Sequence, residues 1–339
     1  LESVNVVFDK TTTVGYAPKN TYLGDLRWET TGQWNVGLDL ALLNNRIRLT
    51  ADYYHKKTTN LLNDVEMPRS SGYTTALRNV GAIRNAGVEL QLDTRIIDKA
   101  VKWDFGVNLS VNRSKVLSLS DGKDIFGSTV SNTIISDQLN LMRIGEPMYV
   151  FYGYVEEGYD DNGQLVYKDF DGSDGITPAD KTIIGNPNPD CLLNFNTAVS
   201  YKGFTLSAFF QGSIGNDIYS LSMASAAYDY SSNANTLREV LYNHWTPEKP
   251  DAKYPNLRQD IALKMSDRFV YDGSYMRLKN LELSYNIPCS KSRVISKARV
   301  YVSAQNLWTI TSYPFWDPDV NAKGGSTSLA QGIDASCYP

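Results

Sequence analysis

The stretch Gln33–Tyr54, QWNVGLDLALLNNRIRLTADYY, decides the fold. Val36, Leu38, Leu40 and Leu42 alternate with Asn35, Gly37 and Asp39; after Asn44-Asn45 the pattern resumes, with Ile47, Leu49, Ala51 and Tyr53 set against Arg46, Arg48, Thr50 and Asp52. Successive side chains of a strand point to opposite faces, so a period of two marks two strands, each with one apolar and one polar face. Asparagine tolerates left-handed backbone, and Asn44-Asn45 reads as a two-residue hairpin turn between them.

Working outward, the alternation recurs in AGVELQLDT and WDFGVNLSVN, then in LNFNTAVSY and FTLSAFFQ across Lys202-Gly203, and finally in YMRLKNLELSYNIP and ARVYVSAQNLW. The pattern in YMRLKNLELSYNIP slips around Asn280, which predicts a β-bulge. That makes eight strands. Their connections alternate between short (44–45, 97–101, 202–203, 288–297) and long (59–82, 114–190, 212–268, 309–339). Tight turns at one end and long loops at the other are the plan of an outer-membrane barrel, with short turns on the periplasmic side and long loops outside. A soluble sandwich mixes loop lengths at both ends. The predicted fold is therefore all-β, a transmembrane antiparallel β-barrel.

Composition agrees. No run of about 18 apolar residues suggests a spanning helix, and a mean hydropathy of -0.34 is compatible with strands that put only one face toward lipid. Twenty-two tyrosines and six tryptophans suit the aromatic belts at the two headgroup levels. The net charge of -4 comes from interspersed acidic and basic residues, leaving no basic stripe for phosphates, so nucleic acid is not an expected partner. Cys191, Cys289 and Cys337 lie about 50 to 100 residues apart and read as three isolated thiols. The chain opens at Leu1 with no signal-peptide pattern and stops at Tyr338-Pro339 with no strand to follow, so it is expected to be a mature segment or a fragment. An open edge in lipid leaves backbone groups unpaired, so at least one more strand is expected outside it.

Four segments, RWETTGQWNVGLDL (Arg27–Leu40), IIGNPNPD (Ile183–Asp190), SYMRLKNLELSYNIP (Ser274–Pro288) and AQNLWTITSYPFWDPDV (Ala304–Val320), resemble, in order and spacing, segments of SusC/RagA-type TonB-dependent outer-membrane transporters. The resemblance implies the C-terminal part of a 22-stranded barrel, with the N-terminal plug, the TonB-contacting segment and the last strand outside this sequence. It also implies import of oligosaccharides or peptides across the outer membrane, energised through TonB, with a SusD-like surface lipoprotein as partner. The competing reading is a secreted or surface all-β module that binds a glycan.

Nothing in the chain reads as an enzyme. There is no G-x-S-x-G, and His55, expected at a strand end, and His244 are too far apart for a metal spacing. No cofactor is required. One stretch, DFDGSDGITPAD, resembles a calcium loop: with Asp169 at position 1, Asp171, Ser173, Gly175 and Asp180 fall at 3, 5, 7 and 12, and Ile176 falls at the buried position 8. Asp174 stands where the loop wants glycine, so an unliganded Asx/Gly turn competes with a structural calcium site. Two loops gather aromatic rings suited to stacking on a sugar: Trp245 and Tyr254 in LREVLYNHWTPEKPDAKYP, whose start reads as a helix, and Tyr313, Phe315 and Trp316 in TSYPFWDPDV. The same rings equally suit packing at the barrel rim or against the lipoprotein. The polar-face set Asp39, Arg46, Arg48, Asp52, Glu89, Gln91, Asp93, Asp104 and Asn108 is expected to face the lumen and contact the plug or line a substrate route.

Overall fold

A computed structural model describes residues 2–8, 11–17, 20–22, 26–73, 75–120, 122–127, 129–229, 235–257, 263–289, 294–320 and 331–335. Its framework is one antiparallel sheet of eight long strands: β1 (Thr30–Leu42), β2 (Ile47–Glu66), β3 (Thr75–Asp98), β4 (Val101–Leu119), β5 (Cys191–Tyr201), β6 (Phe204–Ile214), β7 (Tyr275–Ile287) and β8 (Ala298–Thr311). Each pairs with the next in the chain, from β1 at one edge to β8 at the other. The short segment Asn20–Tyr22 adds in parallel to the start of β3, and Glu2–Phe8 pairs with Thr11–Ala17 in a separate hairpin.

The register turns the alternation of each strand into rows that cross the whole sheet. One row of paired residues runs Leu38, Ala51, Leu90, Leu109, Leu193, Gly212, Met276, Ile310. Its neighbour runs Asp39, Thr50, Gln91, Asn108, Asn194, Gln211, Arg277, Thr309. Leu38, Leu90 and Ile310 are 53%, 37% and 52% exposed, so these side chains at both edges and within the sheet are left open by the protein. A sheet apolar on one face and polar on the other, with the apolar face uncovered, is a barrel wall with lipid outside and a wet lumen inside. Tyr201, Phe204 and Tyr285 pair side by side at the turn end, and Trp34 stacks with Tyr53 and His55 nearer the loop end, which places rings at both margins of the apolar band.

Several local expectations change. The first turn spans four residues, Leu43–Arg46, closed by the Arg46 N–H on the Leu43 carbonyl, with positive φ at Leu43, Asn44 and Asn45. Lys202-Gly203 is a true two-residue turn, with φ of 47° and 86°. The predicted bulge is present: the register shifts between Leu278 and Asn280 against both neighbouring strands. The long connection expected over 59–82 is mostly strand, because β2 runs to Glu66 and β3 begins at Thr75. Asn60, with φ 57°, produces a register shift between Thr58 and Leu61 that hides the alternation from a strict two-residue reading. His55 lies inside β2 instead of at its end. Cys191 and Cys289 are unpaired thiols; Cys337 lies outside the described residues, as does much of 309–339.

At the loop end the three connections 120–190, 215–273 and 312–335 fold together into a cap. Leu139 and Phe151 from the first, Tyr219, Met265 and Phe269 from the second, and Ile333 from the third are each at most 1% exposed and pack in one cluster. Asp217–Ser220 sits between Val270–Asp272 and Ile333–Asp334, which stitches the second connection to the third. Helix α1 (Leu221–Tyr228), capped by Ser220 through the Met223 N–H, was not legible from its alanine- and serine-rich sequence; α2 (Arg238–Asn243) was. Val240 of α2 is fully buried while Leu241 is 57% exposed.

The two faces predict opposite tolerances. Leu90→Arg, on the lipid side near mid-strand, is expected to lose about 2–4 kcal/mol, and Gln91→Arg next to it less than about 1 kcal/mol. Urea titration of the full-length protein in lipid, read by heat-modifiable gel mobility, measures both.

Candidate functional site

The lumen wall and the cap above it are the two places where side chains are free to meet a ligand. On the wall, small residues let polar ones lean across the sheet: a Cβ on Gly106 would meet Asn196 Oδ1 at 2.5 Å and Asp93 Oδ1 at 2.7 Å, and one on Gly37 would meet Asp52 Oδ1 at 2.4 Å. At the turn end a recess of about 470 Å³ is lined by Arg46, Arg48, Asp93, Arg95, Asp98 and Asp104. Its charges are largely matched internally: Arg95 pairs with Asp104 at 2.8 Å, and the Arg46 guanidinium donates to the carbonyls of Arg95 and Ile96. Higher up, Thr50, Asp52, Glu89, Gln91, Asn108 and Asn194 line a smaller recess of about 290 Å³. Eight of the nine polar-face residues singled out from sequence share one face, as the register requires, and the ninth, Arg46, lies in the first turn and lines the lower recess.

The cap is tied together by arginines. Arg268 forms a bidentate ion pair with Glu156, 112 residues away, and donates to the hydroxyls of Tyr228 and Tyr159 at 3.0 Å and to the Lys253 carbonyl at 2.8 Å. Burial pushes the Glu156 carboxyl above its usual value, against the pull of the guanidinium. Burial is the largest single influence on Arg268 and opposes its charge, but the hydrogen bond to Glu156 and the electrostatic attraction of Tyr228, Glu156 and Tyr159 together hold it above the ordinary arginine value. Burial pushes the nearby Tyr167 phenol up to about 12. On β7, Arg277 is 5% exposed; it donates to Thr309 at 3.0 Å and pairs with Asp317 at 2.5 Å and Asp319 at 3.8 Å. That clamp fixes the loop carrying Phe315 and Trp316.

The five aromatic residues picked out for ligand contact separate by burial. Trp245, Tyr254 and Tyr313 are 8%, 3% and 4% exposed. Tyr254 packs on Tyr228 and hydrogen-bonds Glu239, and Tyr313 donates to Asp334 and sits 2.8 Å from Ser220 Oγ. Trp316 is 75% exposed, edge-to-face with a half-buried Phe315 at 5.9 Å, so among the five it presents the open ring. His244 ends α2 with Nδ1 2.9 Å from the Leu241 carbonyl.

The acidic stretch closes on itself. Asp169, Asp171 and Asp180 each bring one carboxylate oxygen within 4.8 Å of the others, which is the donor set a calcium ion would use. Asp180, however, is fully buried and already accepts from the N–H groups of Phe170, Asp171 and Thr177 and from the Thr177 hydroxyl. Asp169 takes the Asp171 and Gly172 N–H groups, Asp171 takes that of Ser173, and the Ser173 hydroxyl donates to the Gly175 carbonyl. Ile176 is half-buried. Binding a cation through Asp180 would mean giving up bonds that hold the loop, so the residues fit an Asx turn better than a metal cage.

Residues 5–307 match the family model described as "TonB dependent receptor-like, beta-barrel". The chain belongs to this family. Among curated relatives of this receptor barrel, TonB-dependent receptor P3 of Formosa agariphila is 34% identical over 93% of the chain, and TonB-dependent receptor SusC of Bacteroides thetaiotaomicron is 30% identical over 93%. Those matches take up 33% and 31% of the two relatives, so the chain spans about a third of their length. A solved structure of the RagAB peptide transporter superposes with a TM-score of 0.78 and 27% identity, covering 98% of the chain and 36% of that structure.

The arginine hubs were missed in sequence. Arg277 and the Asp317-Pro318-Asp319 run both lay in the segments that carried the resemblance, so their pairing had a signal; Arg268 and Glu156 had none. The NPNPD run also gains a structural account: the Asn186 N–H donates to Asp217 at 2.7 Å, and Asn188 Nδ2 to the Met148 carbonyl at 2.7 Å, joining two connections at the mouth of β5.

Arg268→Met, which strands Glu156, is expected to destabilise the cap by about 3–5 kcal/mol, with much of that restored in the Glu156→Gln/Arg268→Met double variant; protease sensitivity of 150–270 in the full-length protein reads this. For the acidic stretch, the Thr177 N–H and the other donors hold the Asp180 carboxyl below its usual value. A folded value below the unfolded one, about 3.9, contributes stability that is complete above the unfolded value and lost as pH falls through the folded one. Amide protection of Phe170, Asp171 and Thr177, corrected for intrinsic exchange, should hold from neutral pH to about 5 and fall below about 4. It should be missing in Asp180→Asn and unchanged by a calcium chelator.

Proposed function

We propose that this chain is part of an active outer-membrane importer for oligosaccharides or peptides, energised through TonB and working with a SusD-like surface lipoprotein. The observation that carries it is the pair of rows across all eight strands: an uncovered apolar row beside a lumen row of hydrogen-bonding side chains. In the alternative, a secreted glycan-binding module, the leucines and isoleucines of the apolar row would face water. SusC and the RagAB peptide transporter, to which the chain is similar, support import.

The cap end of the sheet is then extracellular and the short turns periplasmic. Cargo is captured between the cap and the lipoprotein, with Trp316 and Phe315 stacking on it, and passes along the polar lumen wall when the plug moves. Trp245, Tyr254 and Tyr313 keep the cap folded around that contact. The mixed and internally matched charges of the wall suit a sliding, weakly held cargo, and no step makes or breaks a covalent bond. The possible structural calcium at Asp169, Asp171, Ser173, Gly175 and Asp180 has no role in this scheme.

The full-length protein is expected to need detergent for extraction, to show a heat-dependent gel shift, and to support uptake of cargo that is lost when TonB is deleted. Trp316→Ala should weaken cargo binding about five- to tenfold, within the ~1–2 kcal/mol of a lost aromatic anchor, without altering the gel shift. Partitioning into water with no heat-dependent shift would reject the transporter.

A further inference from the structure

Taken every second residue, the lipid-side positions of β1 to β6 run through 34–42, 47–55, 86–94, 101–111, 191–201 and 204–214 without an aspartate, glutamate, lysine or arginine. Charge first enters that face at the loop end of β2, β3 and β4, as Lys57, Arg84, Arg113 and Lys115. Lys57 pairs with Arg84, and Arg84 with Lys115, so these three stand in one row across three strands. The register is unbroken from Ile47 to Thr58 on β2 and from Ile83 to Arg95 on β3, so the two-residue period fixes which face they take. The next row, Thr58, Ile83 and Val116, is 8%, 9% and 0% exposed and packs inward, whereas Lys57 and Lys115 are exposed and Arg84 is half-buried.

Like charges directly opposite one another destabilise a sheet, and strands about 4.8 Å apart put these three within about 10 Å. The protein does not offset the repulsion. Among the described residues none of the three has a hydrogen bond or an ion pair, and the buried Nε of Arg84 lacks an acceptor. Arg113, one step nearer mid-strand, is by contrast matched by Asp190 at 2.8 Å. Glu146 comes alongside, its carbonyl accepting the Val116 N–H, yet its carboxylate forms no ion pair among the described residues.

Height identifies the missing counter-charge. From Trp103 to Val111 β4 presents apolar residues over roughly 27 Å of strand, which at a tilt of about 40° is roughly 20 Å of height, close to the ~25 Å of a barrel's apolar band. Lys115 lies four residues farther on, roughly 10 Å higher, at headgroup level. The ring cluster of Trp34, Tyr53 and His55 sits just beneath Lys57, where an aromatic belt belongs. We propose that Lys57, Arg84 and Lys115 bind the phosphate of an anionic lipid, whose acyl chains lie on the apolar face below them. A guanidinium takes two phosphate oxygens at once, and the flanking ammoniums supply point charge. Free phosphate would share the headgroup chemistry but make no use of the adjoining apolar wall. The inference goes beyond import and depends only on the wall standing in lipid.

The test is native mass spectrometry of the full-length protein released from detergent, with dioleoyl phosphatidic acid, the matching diacylglycerol and inorganic phosphate as probes. Phosphatidic acid should be retained at least about tenfold more tightly than the diacylglycerol at low salt, since each basic residue near a lipid surface adds about fivefold, and the preference should fade as salt is raised. Lys57→Gln/Arg84→Gln/Lys115→Gln should abolish it, each single substitution should remove a share, and Lys202→Gln, in the turn at the other end, should leave it intact. Unaltered heat-modifiable mobility shows that each variant is folded. Equal retention of the two lipids, or a preference that survives in the triple variant, would overturn the proposal. So would inorganic phosphate bound as tightly as the lipid, which makes the row a free-anion site, or a triple variant that only splits a dimer into monomers, which makes it a contact with a second copy. Cellular uptake keeps the two readings apart: a protein that prefers phosphatidic acid but imports no cargo refutes the transporter alone, and one that imports while retaining both lipids equally refutes the lipid site alone.

Discussion

Lipid accepts no hydrogen bonds, and most of this molecule follows from that. A backbone N–H or C=O left unpaired in the hydrocarbon costs several kcal/mol, so the chain crosses as strands whose polar groups are consumed by their neighbours. β1 to β8 pair in chain order, across tight turns at one end and across the long cap connections at the other. For β2 to β7, which are paired on both sides, the two-residue period leaves a single choice, which face meets lipid. The continuous rows from Leu38 to Ile310 and from Asp39 to Thr309 show that the choice is made in the same sense across all eight strands.

The cap obeys different physics. Its connections sit in water, where a core has to be built from apolar contact, and they build one core between them. Phe151, Tyr219, Phe269 and Ile333 come from three separate connections and bury one another completely or nearly so. Two arginines, Arg277 buried and Arg268 largely so, add direction to that packing. Arg268 ties the first connection to the second, and Arg277 ties the last one to the barrel wall. A guanidinium suits such a post because its fixed fork satisfies several acceptors at once.

What was legible in the sequence divides along the same line. Strand number, order, the bulge beside Lys279 and the lumen face were readable because they repeat at a fixed period, and periodic signals need no knowledge of distant residues. The reading failed where one residue broke the period: Asn60 concealed the continuation of β2, and three successive left-handed residues made a four-residue turn of what looked like two. In the cap the decisive contacts span 40 to 112 residues and have no period at all. Aromatic content singled out two loops, but whether a ring packs inward, like Tyr313, or stands open, like Trp316, depends on partners no local pattern names. The acidic stretch was ambiguous for a related reason, since the same aspartates serve a cation or their own backbone.

The shared core of the three connections also bears on how such a cap can change. If each loop folded independently, its contacts with cargo would be free to drift one loop at a time. Here a substitution at Phe151 or Ile333 disturbs packing contributed by the other connections, so a change in one loop is felt in all three. New specificity is then more readily acquired by exchanging the whole cap between related barrels, through recombination at the strand ends, than by gradual mutation within it. The lumen rows below would keep their backbone pairing, and the incoming cap would have to supply the acceptors that Asp317 and Asp319 now offer to Arg277 in the polar row.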